Sequence, residues 1–180
     1  MKSSIRLSQC MIVKDEEQNI RRALSWGKGI VCEQIVVDTG STDRTVEIAE
    51  ALGAKVFHFS WNNDFSAAKN FAIEQAGGNW IAFLDADEYY SDEDAKKILP
   101  LLRQIEKDFP VALRPHTIRS LLVILDDAGR SMATGVQDRI FRNIPKLRYR
   151  NKIHEHLDLP GTQQFRHYDA TEILAIFHTG

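Results

Sequence analysis

Two aspartates, Asp85 and Asp87, come directly after an apolar run, residues 80–84, that is suited to a buried strand. Only the small residue Ala86 separates them, so on an extended backbone both carboxylates would point to the same side. Two like charges this close repel each other unless a cation or a proton neutralises one of them. Mg²⁺ and Mn²⁺ bind carboxylate oxygens and complete their coordination with water and substrate phosphates. The pair therefore indicates a metal–diphosphate site at the end of a strand.

An Asp-x-Asp triplet alone is weak evidence, because it equally fits a polar loop whose aspartates cap a helix. Two further polar clusters strengthen the interpretation, since each follows a predicted strand: Lys14-Asp15-Glu16 and Asp38-Thr39-Gly40-Ser41. The carboxyl ends of parallel strands meet at one edge of an open α/β sheet, so we expect the three clusters to lie together there. Asp38 can accept hydrogen bonds from a nucleoside. The absence of a G-x-G-x-x-G pattern from this loop argues against dinucleotide binding of the Rossmann type.

Strand and helix patterns alternate along the first half of the chain. Such alternation predicts right-handed βαβ units and an α/β fold, with a mostly parallel, doubly wound sheet and helices on both faces. After a helix over 91–107, the second half is mixed, with strands predicted at 111–115, 118–125 and 136–141 and a hairpin turn at 126–129. We expect one domain over 1–180, with a nucleotide-binding half at 1–90 and an acceptor half at 91–180. The chain stops at His178-Thr179-Gly180 without a recognisable closing element, as a domain truncated at its C-terminus would.

Composition narrows the function classes. The 180 residues carry a formal net charge of −2, which gives no electrostatic reason to expect a nucleic-acid partner. No apolar run reaches the length of a transmembrane segment, and no signal peptide is recognisable. Two cysteines, Cys10 and Cys32, lie in apolar contexts and are expected to be buried free thiols in a reducing compartment. We therefore expect a cytoplasmic protein, with peripheral contact at the inner membrane left open.

Four segments resemble the successive signatures of family 2 glycosyltransferases. More narrowly, they resemble a bacterial subgroup that includes lipopolysaccharide-core glucosyltransferases and peptide S-glycosyltransferases. The segments are Cys10–Glu17, Val37–Asp43, Asp64–Asn70 and Leu84–Glu88, and they occur in the family's order within residues 5–90. Three later segments resemble the subgroup less distinctively: Arg139–Arg142, Ile153–Glu155 and His178–Gly180.

The resemblance implies a GT-A fold and transfer of a sugar, with inversion, from a nucleotide-diphosphate donor, expected to be a UDP-sugar. It implies a Mg²⁺ or Mn²⁺ cofactor held by Asp85, Asp87 and His178. The residues implied to bind the nucleotide-sugar are Val13, Lys14, Glu16, Asp38, Thr39, Gly40, Ser41, Lys69, Asn70, Asp85 and Ala86. Two of them depart from the family pattern: Thr39 stands where many relatives carry an acidic residue that contacts uracil, and Lys69 stands where relatives often have arginine.

Inverting transfer needs a general base for the acceptor. The candidates are Glu155, Asp138 and His154. Glu155 is preferred because Ile153-His154-Glu155 matches a subgroup motif, and Asp138 stays open as a rival. The acceptor itself is not readable, and a glycan, a lipid-linked sugar and a peptide all remain open.

Three other classes of protein fit part of the sequence pattern described above. A sugar-phosphate nucleotidyltransferase has a similar sheet and metal carboxylate, but the Gly-rich N-terminal loop of that class is missing from this sequence. A Mg²⁺ phosphatase with an aspartate nucleophile would carry threonine where Tyr89 stands, and its motif would follow the first strand. A binding module that keeps the fold and has lost turnover is the third alternative.

Overall fold

The computed structural model describes residues 4–161 and 164–179. Its first half is a run of parallel strands joined by helices. The strands are β1 (Leu7–Val13), β2 (Glu33–Asp38), β3 (Lys55–His58) and β4 (Trp80–Phe83), and the helices between them are α1 (Ile20–Ser25), α2 (Thr45–Ala51) and α3 (Phe65–Glu74). The strands lie in the order β3-β2-β1-β4, and every neighbouring pair is parallel. The predicted βαβ alternation is confirmed.

The central strands are buried on both faces, which favours the apolar runs Cys10–Val13 in β1 and Ile35–Val37 in β2. Cys10 on β1 packs in a core cluster with Ala72 and Ile73 of α3. Its neighbour Met11 points the other way and packs with Ile20 of α1 and Ala49 of α2. Helices therefore cover both faces of the sheet, as predicted.

The second half adds mixed strands to the same sheet. Its elements are β5 (Glu88–Tyr90), α4 (Asp92–Asp108), β6 (Thr117–Leu125), β7 (Ser131–Arg142), β8 (Arg148–Arg150), β9 (His156–Asp158), β10 (His167–Asp169) and β11 (Ala175–His178). Strand β7 lies antiparallel between β4 and β6. The large sheet continues through β6 and β11 to β5, β10 pairs with β6, and β8 and β9 form a separate two-stranded sheet.

The structure corrects two expectations and confirms a third. Residues 111–115 are not a strand: Val111–Leu113 is a short 3-10 turn, and Val111 is 77% exposed. Prolines flank this turn at positions 110 and 115, and they cannot donate the backbone hydrogen bonds that a strand needs. Both cysteines are free, but Cys32 is exposed whereas Cys10 is buried. The turn predicted at 126–129 joins β6 to β7, with Gly129 at a φ of 75°.

None of the helices formed by residues 4–161 and 164–179 is long and apolar enough to cross a membrane.

Candidate active site

The carboxyl ends of β1, β2 and β4 open into a cleft of about 590 Å³. The structure gathers most of the predicted site residues in this cleft. From the predicted nucleotide-sugar site these are Val13, Lys14, Glu16, Thr39, Lys69, Asp85 and Ala86, from the predicted metal site Asp87 and His178, and from the predicted bases His154 and Glu155. The expectation that three strand ends meet at one edge is therefore met by the geometry.

The other predicted residues do not line this cleft. Asp38 lies behind it, where its carboxylate accepts hydrogen bonds from the backbone N–H groups of Gly40 at 3.2 Å and Ser41 at 3.0 Å. Burial alone would raise the pKa of the Asp38 carboxyl, but hydrogen bonds from Ser41, His58 and Gly40 outweigh burial and lower it. These hydrogen bonds fix the loop of Asp38, Gly40 and Ser41. Thr39, in the same loop, lines the cleft.

The side chain of Asn70, on α3, bonds the backbone of β8. Its side-chain Nδ2 donates to the carbonyl of Tyr149 at 3.0 Å, and its Oδ1 accepts from the N–H of the same residue at 2.9 Å. These two bonds hold α3 against β8.

Asp85 is held by two cations. One carboxylate oxygen lies 3.2 Å from Nζ of Lys69, and the other lies 2.6 Å from Nη2 of Arg139. Arg139 also contacts Oε1 of Glu88 at 2.6 Å, so Glu88 turns away from the cleft. Burial alone would raise the pKa of Asp85, yet Arg139 and Lys69 together hold it below its ordinary value. Asp85 is therefore a carboxylate whose oxygens are already engaged by protein cations.

Sequence reasoning did not assign a role to Arg139. It lies on β7, the strand that pairs with β4, and its side chain is only 12% exposed. Burial alone would lower the pKa of the Arg139 guanidinium, but Asp85 and Glu88 raise it. The signal that could have revealed it is an arginine directly before the apolar pair Ile140-Phe141 near the end of the strand, because a buried arginine needs carboxylate partners.

Asp87 has different surroundings. Its Oδ1 atom is buried and forms no hydrogen bond with the described part of the chain. The imidazole of His178 lies beside it, with Nδ1 3.6 Å from Oδ1, too far for a hydrogen bond. The following residue, Thr179, donates its backbone N–H to the Asp87 carbonyl at 3.1 Å and so fixes the two segments together.

Asp87 and His178 fit a divalent cation in chemistry and in position. A buried oxygen without a donor accepts a metal ion without losing a protein contact, and carboxylate and imidazole ligands both suit Mn²⁺. Within residues 4–161 and 164–179 no cluster of three or more histidine, cysteine, aspartate or glutamate side chains is arranged as a complete metal site. A cation held by this pair would therefore need substrate or water to complete its coordination sphere.

Glu155 faces the cleft from the loop between β8 and β9. The N-terminus of α3 fixes this loop: the Phe65 N–H donates to the Lys152 carbonyl at 3.1 Å, and the Ser66 hydroxyl donates to the Asn151 carbonyl at 2.5 Å. Nζ of Lys69 contacts Oε1 of Glu155 at 2.6 Å. His154 precedes it with a φ of 56°, a left-handed conformation that turns the chain sharply.

Lys69 connects the two sides of the cleft, because it contacts both Asp85 and Glu155. It is 2% exposed and lies over the rings of Phe83 and Tyr149. Burial alone would lower the pKa of the ammonium, but Tyr149, Asp85 and Glu155 raise it above its ordinary value, so Lys69 is charged.

The third predicted base, Asp138, lies outside the large cleft. It lines a smaller cavity of about 320 Å³. Its Oδ1 accepts a hydrogen bond from the Thr117 hydroxyl at 3.0 Å and lies 3.2 Å from Nδ1 of His167. Asp138 and Glu155 are therefore not equivalent in position.

A sequence model of the family described as "Glycosyl transferase family 2" matches residues 8–174, which is most of the chain. The chain belongs to glycosyl transferase family 2. Family membership was predicted from four short segments, and the match extends well beyond them into β10 and the segment before β11.

Curated relatives of this family 2 chain include bacterial and phage proteins. A TPR repeat-containing protein of Synechococcus elongatus is 41% identical over 153 residues, which is 85% of this chain and 36% of that protein. The SPbeta prophage-derived glycosyltransferase SunS of Bacillus subtilis is 32% identical over 148 residues, which is 81% of this chain and 33% of SunS. The chain thus spans about a third of the length of these relatives.

Solved structures confirm a GT-A fold for this family 2 chain. TarS of S. aureus in complex with UDP-GlcNAc superposes with a TM-score of 0.68 at 16% identity, covering 98% of this chain and 59% of TarS. Glucosyl-3-phosphoglycerate synthase from Mycobacterium tuberculosis, in complex with Mn²⁺, UDP and glucosyl-3-phosphoglycerate, superposes with a TM-score of 0.50 at 21% identity, covering 72% of this chain and 46% of that protein.

Proposed function

We propose that this chain transfers a sugar from a nucleotide-diphosphate donor, a UDP-sugar, to an acceptor, with inversion at the anomeric carbon. The observation that carries the proposal is one cleft that joins three strand ends, the Asp87–His178 pair and a carboxylate on the facing loop, Glu155. The complexes of TarS with UDP-GlcNAc and of glucosyl-3-phosphoglycerate synthase with UDP and Mn²⁺ support the choice of donor and of cofactor.

The donor would lie along the strand ends in residues 1–90, and the acceptor would approach from residues 91–180. Lys14, Glu16 and Thr39 line the donor side. Asp87 and His178 would hold Mg²⁺ or Mn²⁺, and such an ion, when bound, neutralises charge on the leaving diphosphate. Asp85 takes a supporting part, because Lys69 and Arg139 occupy its oxygens.

Glu155 is the proposed general base. Lys69 engages Oε1, and in the described residues no hydrogen bond engages Oε2, which is therefore able to accept a proton. As the acceptor oxygen forms its bond to the anomeric carbon, its proton passes to Oε2. The bond from the anomeric carbon to the diphosphate oxygen breaks, and its electron pair leaves with the diphosphate. Attack opposite to the leaving group inverts the anomeric centre.

The free thiols Cys10 and Cys32 suit a reducing compartment, and a cytoplasmic location, with peripheral contact at the inner membrane, is part of the proposal.

A matched pair of variants tests the base. Glu155→Gln keeps the shape of the side chain and removes its basic oxygen, so we expect the release of UDP from UDP-glucose or UDP-GlcNAc to fall by about 10²–10⁴-fold. The affinity for UDP should stay within a few fold of wild type. Asp138→Asn makes the same chemical change in the smaller cavity and should retain most of the turnover.

Full activity in Glu155→Gln, or loss of activity confined to Asp138→Asn, would reject this assignment. Binding of a UDP-sugar without turnover by the wild-type chain would instead identify a binding module.

A further inference from the structure

A second cavity adjoins the donor cleft, and the two meet at Glu155. The large cleft and the smaller cavity of about 320 Å³ both include Glu155 in their walls. Strands β7 and β8 supply Gln137, Asp138 and Tyr149 to the smaller cavity, and Phe165 and His167 complete its far side. A carboxylate between two cavities can serve a reaction between two bound molecules, one on each side.

Two buried hydrogen-bond donors of this cavity have no partner among residues 4–161 and 164–179. Tyr149 is 5% exposed, and its hydroxyl forms no hydrogen bond with any described residue. Nε of Arg139 is also buried and forms no hydrogen bond with any described residue, although Nη2 of the same side chain pairs with two carboxylates. Buried polar groups are nearly always paired, so two exceptions in the wall of one cavity require an explanation. Because both residues line the cavity, ligand oxygens bound in it are candidate partners for the two groups.

The charges around the cavity point to an uncharged ligand. Asp138 is paired with Arg119 and His167, Glu155 with Lys69, and Arg139 with Asp85 and Glu88. No arginine or lysine in the described wall is left to neutralise a phosphate or a carboxylate. An anionic acceptor would therefore meet carboxylates without a compensating cation.

The remaining groups suit a hydroxylated ring. Gln137 offers a hydrogen-bond acceptor, Tyr149 offers a donor, and the ring of Phe165 provides an apolar surface beside His167, at 4.7 Å between centroids. The volume lies at the lower end of the range of small-molecule pockets, about 300–1,000 Å³, which matches one ring better than an extended chain.

We propose that the smaller cavity binds a neutral sugar residue of the acceptor and presents one of its hydroxyl groups to Glu155. This inference rests on the proposed function, and it names the acceptor class. The acceptor hydroxyl loses its proton to Glu155, and its oxygen bonds to the anomeric carbon of the donor as the diphosphate leaves.

The test compares two tyrosines. Tyr149→Phe removes the unpaired hydroxyl and nothing else, whereas Tyr90→Phe removes a buried hydroxyl that bonds Ser120 at 3.2 Å and lines neither cavity. UDP release from a UDP-sugar is measured against a panel of methyl hexopyranosides and, separately, a cysteine-containing peptide. We expect a hexopyranoside to accelerate UDP release. Tyr149→Phe should then raise KM for that glycoside by about tenfold, the effect of one lost hydrogen bond. Tyr90→Phe should leave KM at the wild-type value.

Thermal unfolding separates a binding role from a structural one. Because the Tyr149 hydroxyl bonds no residue that the structure describes, Tyr149→Phe should have an unchanged or higher Tm, and a clear fall in Tm would overturn the inference. Gln137→Leu, a second change in the same wall, should raise KM in the same direction.

Each remaining outcome decides the matter. Acceleration by the peptide alone, or KM for the glycoside unaltered by Tyr149→Phe, would overturn the inference and leave the proposed function standing. Absence of donor turnover in wild type would overturn the proposed function instead. Methyl hexopyranoside binding is then followed by nuclear magnetic resonance, and binding that is unaffected by Tyr149→Phe would overturn the inference too.

Discussion

Asp85 and Asp87 are separated by one residue, but their carboxylates have different contacts. Both oxygens of Asp85 contact protein cations, while Oδ1 of Asp87 is buried, faces His178 and forms no hydrogen bond within the described part of the chain. The Asp-x-Asp triplet could be recognised in the sequence, but the different contacts of its two carboxylates could not. It depends on Lys69 and Arg139, which come from α3 and β7 and reach Asp85 only in the folded chain.

His178→Ala tests the histidine side of the pair. If His178 is a metal ligand, the variant should bind UDP in the presence of Mn²⁺ about 10–100-fold more weakly, the usual loss on removing a ligand or its support. Binding measured with EDTA in place of Mn²⁺ should be the same for variant and wild type. Equal Mn²⁺-dependent affinity in the two proteins would remove His178 from the proposed site.

At the level of elements, long segments were predictable and short ones were not. The strands β1, β2 and β4 contain the apolar runs Cys10–Val13, Ile35–Val37 and Trp80–Phe83, and each run is followed by a polar segment, so the positions of the strands follow from burial on both faces. The three-residue strand β5 and the turn at Val111–Leu113 carry no comparable pattern. A short segment becomes a strand only where a neighbouring strand is available, and that is decided by the tertiary fold.

Glu33, at the start of β2, ties three elements together. One oxygen accepts from the Ser8 hydroxyl at 2.7 Å and the Gly77 N–H at 2.6 Å, and the other contacts Nζ of Lys55 at 2.7 Å. Burial alone would raise the pKa of this carboxyl, but the hydrogen bonds from Lys55, Ser8 and Gly77 prevail and lower it from 4.5 to about 2. A depressed pKa means that the folded state favours the ionised form. The resulting stabilisation is therefore full above pH 4.5 and is lost as the pH falls toward 2.

Glu33→Gln should accordingly lower the free energy of unfolding at neutral pH by about 1–2 kcal/mol, a figure reduced for the solvent screening of Lys55. The difference from wild type should shrink as the pH falls below 4.5. Urea unfolding at several pH values measures it, with Glu50→Gln on the exposed face of α2 as the control. A destabilisation that is the same at pH 3 and at pH 7 would contradict the ionic explanation.

On the scale of the whole molecule, the site is completed by the order of the sheet. Strand β11 lies between β6 and β5, and this position brings Thr179 to Asp87 across 92 residues of sequence. The same order places β7 beside β4 and so delivers Arg139 to Asp85. The resemblance to a family predicted His178 as a ligand, but periodicity alone could not, since four residues of β11 carry no signal of which strands they pair with. Asp138, the sequence neighbour of Arg139, lines the smaller cavity and not the large cleft.

The most direct test of the central claim is isothermal titration of UDP, GDP, dTDP and CDP, with and without Mn²⁺, into wild type, Asp87→Ala and the exposed hairpin control Asp127→Ala. We expect UDP to bind in preference to the others and its binding to depend on Mn²⁺. Asp87→Ala should abolish this dependence, whereas Asp127→Ala should retain it. A metal-dependent nucleotide-diphosphate site in this cleft would be contradicted by either of two results. One is UDP binding that is unchanged without Mn²⁺ and in Asp87→Ala, and the other is no binding of any of the four nucleotides.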